Sequence, residues 1–364
     1  MRVLVALDEQ IFAIQQYGGI SRMFAELARQ FCVNRANGID LMPLDTTVVN
    51  RYVLDDPQLS EALQARHARS EWSALATYFL RLRQQEKAEV VHSTFYLPHG
   101  VSPLRGKRSV VTVHDMIPEM MPQTKRRLDF LTWKRRYVQA ADAIICVSES
   151  TRKDLERIYG ELKAPIRVIH HGVSDRFHPD APRLEQLPTR YILFVGNRGQ
   201  YKDADVLFQA FAQIAGKHDD LQLLCVGGSG LNTAEIRRLE ALGIRDKVSQ
   251  RFLPDEQMVS AYAHAEIFAF PSRFEGFGLP ALEAMATGTP AVLARATSLP
   301  EVGGGAALYF TPGDAMELAE KLQLLLESPT LHEEMRNRGV QHAAQFTWAE
   351  AALQTAAVYQ EIAR

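Results

Sequence analysis

Two doubly wound α/β domains are the fold class this sequence predicts, and three observations predict it. Short β-branched or aliphatic runs alternate with longer amphipathic segments almost throughout, the pattern of βα units feeding a parallel sheet. At 364 residues the chain exceeds the size at which one hydrophobic core usually stops growing, and 46% hydrophobic with 23% charged is ordinary globular composition. Between two sets of such runs lies "SDRFHPDAPRLEQLPTR", residues 174–190, rich in proline and charge and without sustained period, which reads as a linker.

Taken in order, strands are expected at "RVLVAL", "VVHST", "SVVTVHD", "AIICVS" and "IRVIHHG" in the first half. In the second half they are expected at "YILFVG", "LQLLCVGG", "VSQRFL", "IFAFPS" and "PAVLA". The expected division is a first domain over 1–174, a linker over 175–190, a second domain over 191–347 and a last segment over 348–364. Sheets of this kind bind ligands beyond their carboxyl ends, so the chemistry should cluster around a cleft between the two domains.

Charge and cysteine content exclude several classes. A formal net charge of -2 exerts no overall pull on nucleic acid or an anionic membrane. Cys32, Cys146 and Cys225 are odd in number, far apart and set in apolar runs, which fits buried thiols in a reducing compartment better than disulfides or zinc. The opening "MRVLVALDEQ" has an apolar run too short for a signal peptide, and no run approaches the length that spans a bilayer, so a soluble or peripheral cytoplasmic protein is expected.

The most informative stretch is "PSRFEGFGLPALEAMATGTPAV", where Glu275 and Glu283 stand with seven residues between them in a nearly uncharged segment. Pro271 follows the strand "EIFAF", two glycines supply a tight loop, Pro280 suits the first helical position, and Gly288 with Pro290 stops the helix. The helix N-terminus at Gly278 and Leu279 is then an anion site, most naturally for phosphate. Two carboxylates beside a phosphate repel it but accept hydrogen bonds from hydroxyls, as on a ribose and a sugar, and a nucleotide-sugar meets both requirements. The plain alternative is that Glu283 favours the helix dipole and Glu275 is a solvated loop residue.

Three further groups belong to the same reading. "YGGIS" opens an amphipathic segment and lacks the dinucleotide spacing, so Gly18 and Gly19 either form a simple turn or let backbone amides approach a donor phosphate or sugar. His114 ends the strand "SVVTV", either as a structural histidine or as a group at the mouth of the cleft, where Asp115 is placed to orient the loop or the ring. "VGNRGQYKDADVLFQAF" sets a glycine loop between strand and helix with Arg198 and Lys202, either a solvated surface pair or a phosphate clamp, the arginine fork being suited to two phosphate oxygens. In the first half, "KRRLDFLTWKRRYV", from Lys125 to Val138, interleaves six cations with Phe130, Trp133 and Tyr137. It is either a patch for anionic lipid headgroups or a lipid-diphosphate acceptor, or a solvated helix face with its apolar side in the core.

The stretch from Pro271 through "SLPEVGGGAALYFTPGD" resembles the E-x7-E signature of the retaining family-4 glycosyltransferases. "YGGISRMFAELA", "HSTFYLP", "TVHDMIPEMMP", "VSESTRKDL", "VIHHGV", "LFVGNRGQYKDADVLFQAF" and "FTWAEAALQTAAVY" agree with that family in the same order, so the resemblance covers essentially the whole chain. It implies the GT-B fold, two Rossmann-like domains facing a cleft, with the last helix crossing back to the acceptor-binding first domain. It also implies transfer of a sugar with retention, Lys202 on the donor diphosphate, Glu275 on the donor sugar, Glu283 on the ribose and His114 supporting the transition state. No metal or other cofactor is implied. Asn197 stands where many relatives carry arginine, which weakens the assignment of Arg198.

The wording of "HSTFYLP" and "HDMIP" resembles bacterial mannosyl- and rhamnosyltransferases of O-antigen or exopolysaccharide assembly. GDP-mannose is therefore the expected donor over UDP-glucose or dTDP-rhamnose, and an undecaprenyl-diphosphate-linked oligosaccharide the expected acceptor, met at the inner face of the plasma membrane. A nucleotide-sugar epimerase of the same architecture, which would convert donor without acceptor, and a non-catalytic nucleotide-sugar-binding protein are the competing classes. A dinucleotide oxidoreductase is disfavoured because neither half has G-x-G-x-x-G after a strand.

Overall fold

The computed structural model describes residues 2–34, 38–44, 47–70, 73, 87–98, 107–121 and 127–364. Two compact units result, one formed by Met1–Gly172 with Thr347–Arg364 and the other by Val173–Phe346.

The first unit is built on six parallel strands, β1 (Val3–Leu7), β2 (Ile39–Leu41), β3 (Val90–Ser93), β4 (Arg108–Val113), β5 (Ala143–Cys146) and β6 (Ile166–Val168), in the order β2-β1-β3-β4-β5-β6. The second repeats the plan with β7 (Arg190–Val195), β8 (Leu221–Val226), β9 (Val248–Arg251), β10 (Ile267–Phe270), β11 (Ala291–Ala294) and β12 (Ala307–Phe310), in the order β9-β8-β7-β10-β11-β12. Central strands read as unbroken apolar runs because helices cover both faces; every residue of β3, β5, β10 and β11 is buried. The helices used below are α1 (Gly19–Cys32), α2 (Arg127–Ala140), α3 (Ala204–Ala215), α4 (Thr233–Ala241), α5 (Asp255–Ala263), α6 (Leu279–Ala286) and α7 (Trp348–Ile362).

All ten expected strands form. Among the described residues the two large sheets gain two unexpected strands, β2 and β12, edge strands of three and four residues, too short for a period to show in the sequence, and a separate parallel pair forms from Thr47–Val48 and Arg66–His67. A correction concerns residues 175–190, expected as a linker, which pack onto the second unit. Phe177 is buried edge-on to Tyr262 with ring centroids 5.8 Å apart, the Leu184 amide donates to Ser260 Oγ at 3.1 Å, and the Ala181 carbonyl meets His264 Nε2 at 2.8 Å. Phe177, Ala181 and Leu187 bury at irregular intervals, so no period announces them.

Helix α7 belongs to the first unit, where it lies against α1. Tyr359 OH meets His92 Nδ1 at 2.5 Å, and His92 Nε2 meets Thr112 Oγ1 at 2.8 Å, so one buried imidazole ties the last helix to β4. The chain leaves this unit beside the point where it returns. A Cβ on Gly172 would fall 2.2 Å from the Trp348 amide nitrogen and 2.4 Å from the Thr347 carbonyl carbon. Both neighbours are backbone and cannot swing aside. Replacing Gly172 by alanine should therefore cost about 1–3 kcal/mol in denaturant unfolding, whereas Gly216→Ala, with nothing within 4 Å, should cost little or nothing.

Burial also sets the acid limit of the unit. Desolvation pushes His92 and His171 from 6.5 down to about 3, His171 with help from His170. Above pH 6.5 folded and unfolded chains both carry neutral rings; between 6.5 and about 3 only the unfolded chain takes up protons, so stability falls with pH. Each ring should steepen the loss by roughly 1.4 kcal/mol per pH unit. Unfolding midpoints of wild type and His92→Gln across pH 7.5 to 4.5 should show a shallower fall in the variant.

Candidate active site

In the second unit the strand order reverses between β7 and β10, and the loops that follow them meet there. Lys202 closes a 3-10 turn over Gln200–Lys202 and sets its Nζ 2.5 Å from Glu275 Oε1, with both side chains only 11% exposed. Its ammonium also lies 4.8 Å from the centroid of Phe270 and 5.4 Å from that of Tyr201. The Arg273 amide ties the two loops together by donating to the Tyr201 carbonyl at 2.7 Å, and the segment after β11 braces the second of them, the Glu275 amide donating to Thr297 Oγ1 at 2.9 Å. Ser298 Oγ donates to the carbonyls of Glu275 and Phe277 at 3.0 and 2.8 Å.

Gly278 turns the chain into α6 at φ +107°, a left-handed conformation, and a Cβ there would fall 2.9 Å from Leu299 Cδ2. Helix α6 begins at Leu279, so Pro280 is its second residue rather than the expected first, and Glu283 stands in the second turn. Glu283 is buried at 6% exposure and its Oε2 accepts from Tyr262 OH at 2.9 Å. The two glutamates thus differ in setting: one faces a lysine on a neighbouring loop, the other is anchored to α5.

Arg198 takes a different part from the expected phosphate clamp. Its Nε lies 2.7 Å from Glu235 Oε1, and Nη2 donates to the carbonyls of Ser229 and Gly230 at 2.6 and 3.1 Å. Nη1 reaches the Gly227 carbonyl at 3.3 Å, and the side chain is 4% exposed. The fork is spent on shaping the loop after β8 and fastening it to α4, a commitment invisible to a motif because Glu235 lies 37 residues away.

In the first unit α1 starts at Gly19 with Gly18 as its cap. Gln15 Oε1 takes the Ser21 amide at 3.1 Å and the Gly18 carbonyl takes that of Arg22 at 2.9 Å, so the amides of Gly19 and Ile20 are those an anion would meet. His114 follows β4 and is 8% exposed; its Nε2 is buried and has no hydrogen-bond partner among the described residues. Desolvation, then His171, His92 and Lys134, hold its pKa well below 6.5, so the ring is neutral and suited to a hydrogen bond with a hydroxyl rather than to carrying charge. Asp115 serves the loop, its Oδ1 accepting from the Ile117 amide at 3.1 Å.

Sequence reasoning missed the polar cluster where this sheet's order reverses, between β1 and β3. Asp8 Oδ1 accepts from the Thr94 amide at 2.7 Å and from its hydroxyl at 2.6 Å, and Gln10 Nε2 donates both to Asp8 and, at 2.9 Å, to Tyr137 OH. Burial pushes Asp8 up to about 6 against the pull of those bonds. The signal was present: an acid directly after the first strand, in "ALDEQ".

Of the two readings of the basic, aromatic segment, buried Tyr137 fits the helix with its apolar side in the core. Lys125 and Arg126 lie outside the described residues, but Lys134, Tyr137 and Val138 are buried on the core side of α2. Lys134 Nζ sits 3.0 Å from Glu119 Oε1 and 2.5 Å from the Asp115 carbonyl. Arg135 lies over Tyr159 and Arg136 over Trp133. Among the described residues this is a helix with a solvated face and a buried one, and no helix is long and apolar enough to cross a membrane. No group of three or more His, Cys, Asp or Glu is arranged to hold a metal among the described residues.

Comparison with known proteins agrees with this geometry. Residues 17–177 match Glycosyltransferase Family 4, and residues 180–342 match Glycosyl transferases group 1. The chain carries two glycosyltransferase domains. This glycosyltransferase is similar to O-antigen chain mannosyltransferase B of Escherichia coli, 29% identical over 380 residues that cover 94% of this chain and 95% of the relative. D-inositol 3-phosphate glycosyltransferase of Corynebacterium jeikeium is 34% identical over 249 residues, covering 63% of this chain and 59% of that protein. Anabaena HepE, solved in complex with UDP-glucose, is 16% identical with a TM-score of 0.75, covering 98% of this chain and 99% of that one. A likeness at that identity carries the fold, GT-B.

The lysine–glutamate pair has a measurable consequence. Removing one partner leaves a largely buried charge uncompensated, so Lys202→Met and Glu275→Gln should each destabilise the glycosyltransferase, and the double variant by less than their sum. A double-mutant cycle in denaturant should return a coupling of about 0.5–3 kcal/mol; additivity would show that the pair is not formed in solution.

Proposed function

We propose that this glycosyltransferase moves mannose from GDP-mannose, with retention, to a hydroxyl of a lipid-linked oligosaccharide or polysaccharide at the inner face of the plasma membrane. The observation that carries the donor site is the Lys202–Glu275 pair beside the N-terminus of α6, at the reversal of a parallel sheet. The choice of mannose rests on the E. coli relative, whose name states a mannosyltransferase.

In this reading the donor diphosphate lies against the amides at Gly278 and Leu279 and draws Lys202 toward it. Charge that develops on the leaving diphosphate is then met by a preplaced ammonium and a helix N-terminus, without calling on a metal. Glu275, relieved of part of its bond to Lys202, accepts hydroxyls of the transferred sugar and faces the positive charge growing at its anomeric carbon. Glu283, anchored by Tyr262, accepts the ribose hydroxyls. His114, in the first unit, is suited to a sugar hydroxyl as a neutral hydrogen-bonding group. Retention follows from a front-face route in which the departing phosphate oxygen takes the acceptor proton. Arg198 acts through the shape of the loop after β8.

Calorimetric titration of GDP-mannose, UDP-glucose, UDP-GlcNAc and dTDP-rhamnose should find one tight donor, with GDP-mannose expected. Lys202→Ala and Glu283→Gln should each lose about 1–3 kcal/mol of its binding. If no donor bound, or both variants bound it unchanged, the site would be wrong. Conversion of the donor with no acceptor present would favour the epimerase instead.

A further inference from the structure

The proposed chemistry leaves one concave site in the first unit unused. The turn ahead of Gly18 folds against a short parallel pair, Thr47–Val48 with Arg66–His67, and a pocket of about 330 Å³ opens between them. Tyr17, Arg51, His67, Arg69 and Ser70 are among the residues that line it.

Its walls are fixed from behind. Buried Asn50 donates Nδ2 to the carbonyls of Gln15 and Gln16 at 2.9 and 3.3 Å and caps the following turn through the Val53 amide at 3.2 Å. The Arg51 amide donates to the Gln16 carbonyl at 3.0 Å. Asp55 steers the Arg51 guanidinium, with Nε to Oδ2 at 3.0 Å and Nη2 to Oδ1 at 2.6 Å. Tyr17 is 47% exposed and rests its ring edge-to-face on Tyr52 at 5.6 Å, while Arg22 covers the same Tyr52 at 5.0 Å.

The sign of the lining decides what fits. Among the described residues its lining holds two arginines and a histidine and no acidic side chain, on a chain whose net charge is -2, so the basic lining is a local arrangement and not a property of the whole surface. Among the described residues Asp55 pairs with Arg51, the other arginine of the lining being Arg69. Guanidinium forks match the paired oxygens of phosphate or carboxylate, and an exposed tyrosine beside them suits the apolar body to which such a group is attached. Tyr17 immediately precedes Gly18, so the pocket adjoins the start of α1.

We propose that this pocket binds an anionic group of the acceptor, a phosphate or a carboxylate carried on a prenyl chain or a sugar. The inference rests on the transferase reading above. Calorimetry on the full chain with farnesyl diphosphate, glucuronate and inorganic pyrophosphate, beside farnesol and glucose as uncharged controls, tests it. At least one organic anion should bind, weaken by about tenfold or more in Arg69→Ala and in His67→Gln, which spares the Arg51–Asp55 pair, and stay within about twofold in Lys202→Ala. Farnesyl diphosphate as the ligand would identify a lipid diphosphate, and glucuronate an acidic glycan. The proposal fails if no anion binds, if the pocket variants bind unchanged, or if the binding is lost in Lys202→Ala. GDP-mannose titrated into the same variants reports separately on the donor site, so loss of one reading is told apart from loss of the other.

Discussion

A parallel sheet sends every strand the same way, so all the loops that leave its carboxyl ends gather along one edge, and where the strand order reverses two of them part and leave a crevice. Both sheets of this glycosyltransferase reverse, between β1 and β3 and between β7 and β10. Lys202 with Glu275 at one reversal, and Asp8 with Thr94 and Gln10 at the other, stand where they do because of this constraint. The apolar strands below supply the rigid floor that lets short loops hold polar groups to fixed distances.

The two reversals handle polar groups differently. At the second, a lysine and a glutamate face one another with little water around them, an arrangement that keeps a strong charge poised while cancelling its cost. At the first, burial dominates. His92, His114 and His171 are held neutral and Asp8 is raised toward neutrality, so the carboxyl ends of β1, β3, β4 and β6 present hydrogen-bonding groups with little charge. The second suits an anionic group and the first suits hydroxyls.

Much of this was legible because it is local. Ten strands, the glycine turn into α6 and the helix stop at Gly288 are properties of contiguous residues, and each formed close to where the sequence placed it. The edge strands β2 and β12 and the packing of residues 175–190 were not, since a short run or an irregular apolar spacing carries no period. The sequence named Lys202, Glu275, Glu283 and His114 as candidates, and the structure sets Lys202 against Glu275 and Glu283 against Tyr262. Arg198 was found too, but its partner Glu235 belongs to another helix, and no spacing within the loop foretells it.

By itself the sequence determined the alternation of strands and helices, the glycine and proline punctuation around α6, and the residue types that crowd the carboxyl ends of the strands. Tertiary structure decided which of those residues meet: Lys202 with Glu275 across 73 positions, Glu283 with Tyr262, and Arg198 with a wall of backbone carbonyls. It also decided where basic side chains go, sending Lys134 into the core beside Glu119 and setting Arg51, His67 and Arg69 around an open pocket. The physical reason is that helical and strand periods are set by nearest neighbours along the chain, whereas pairing and desolvation depend on what the fold brings alongside.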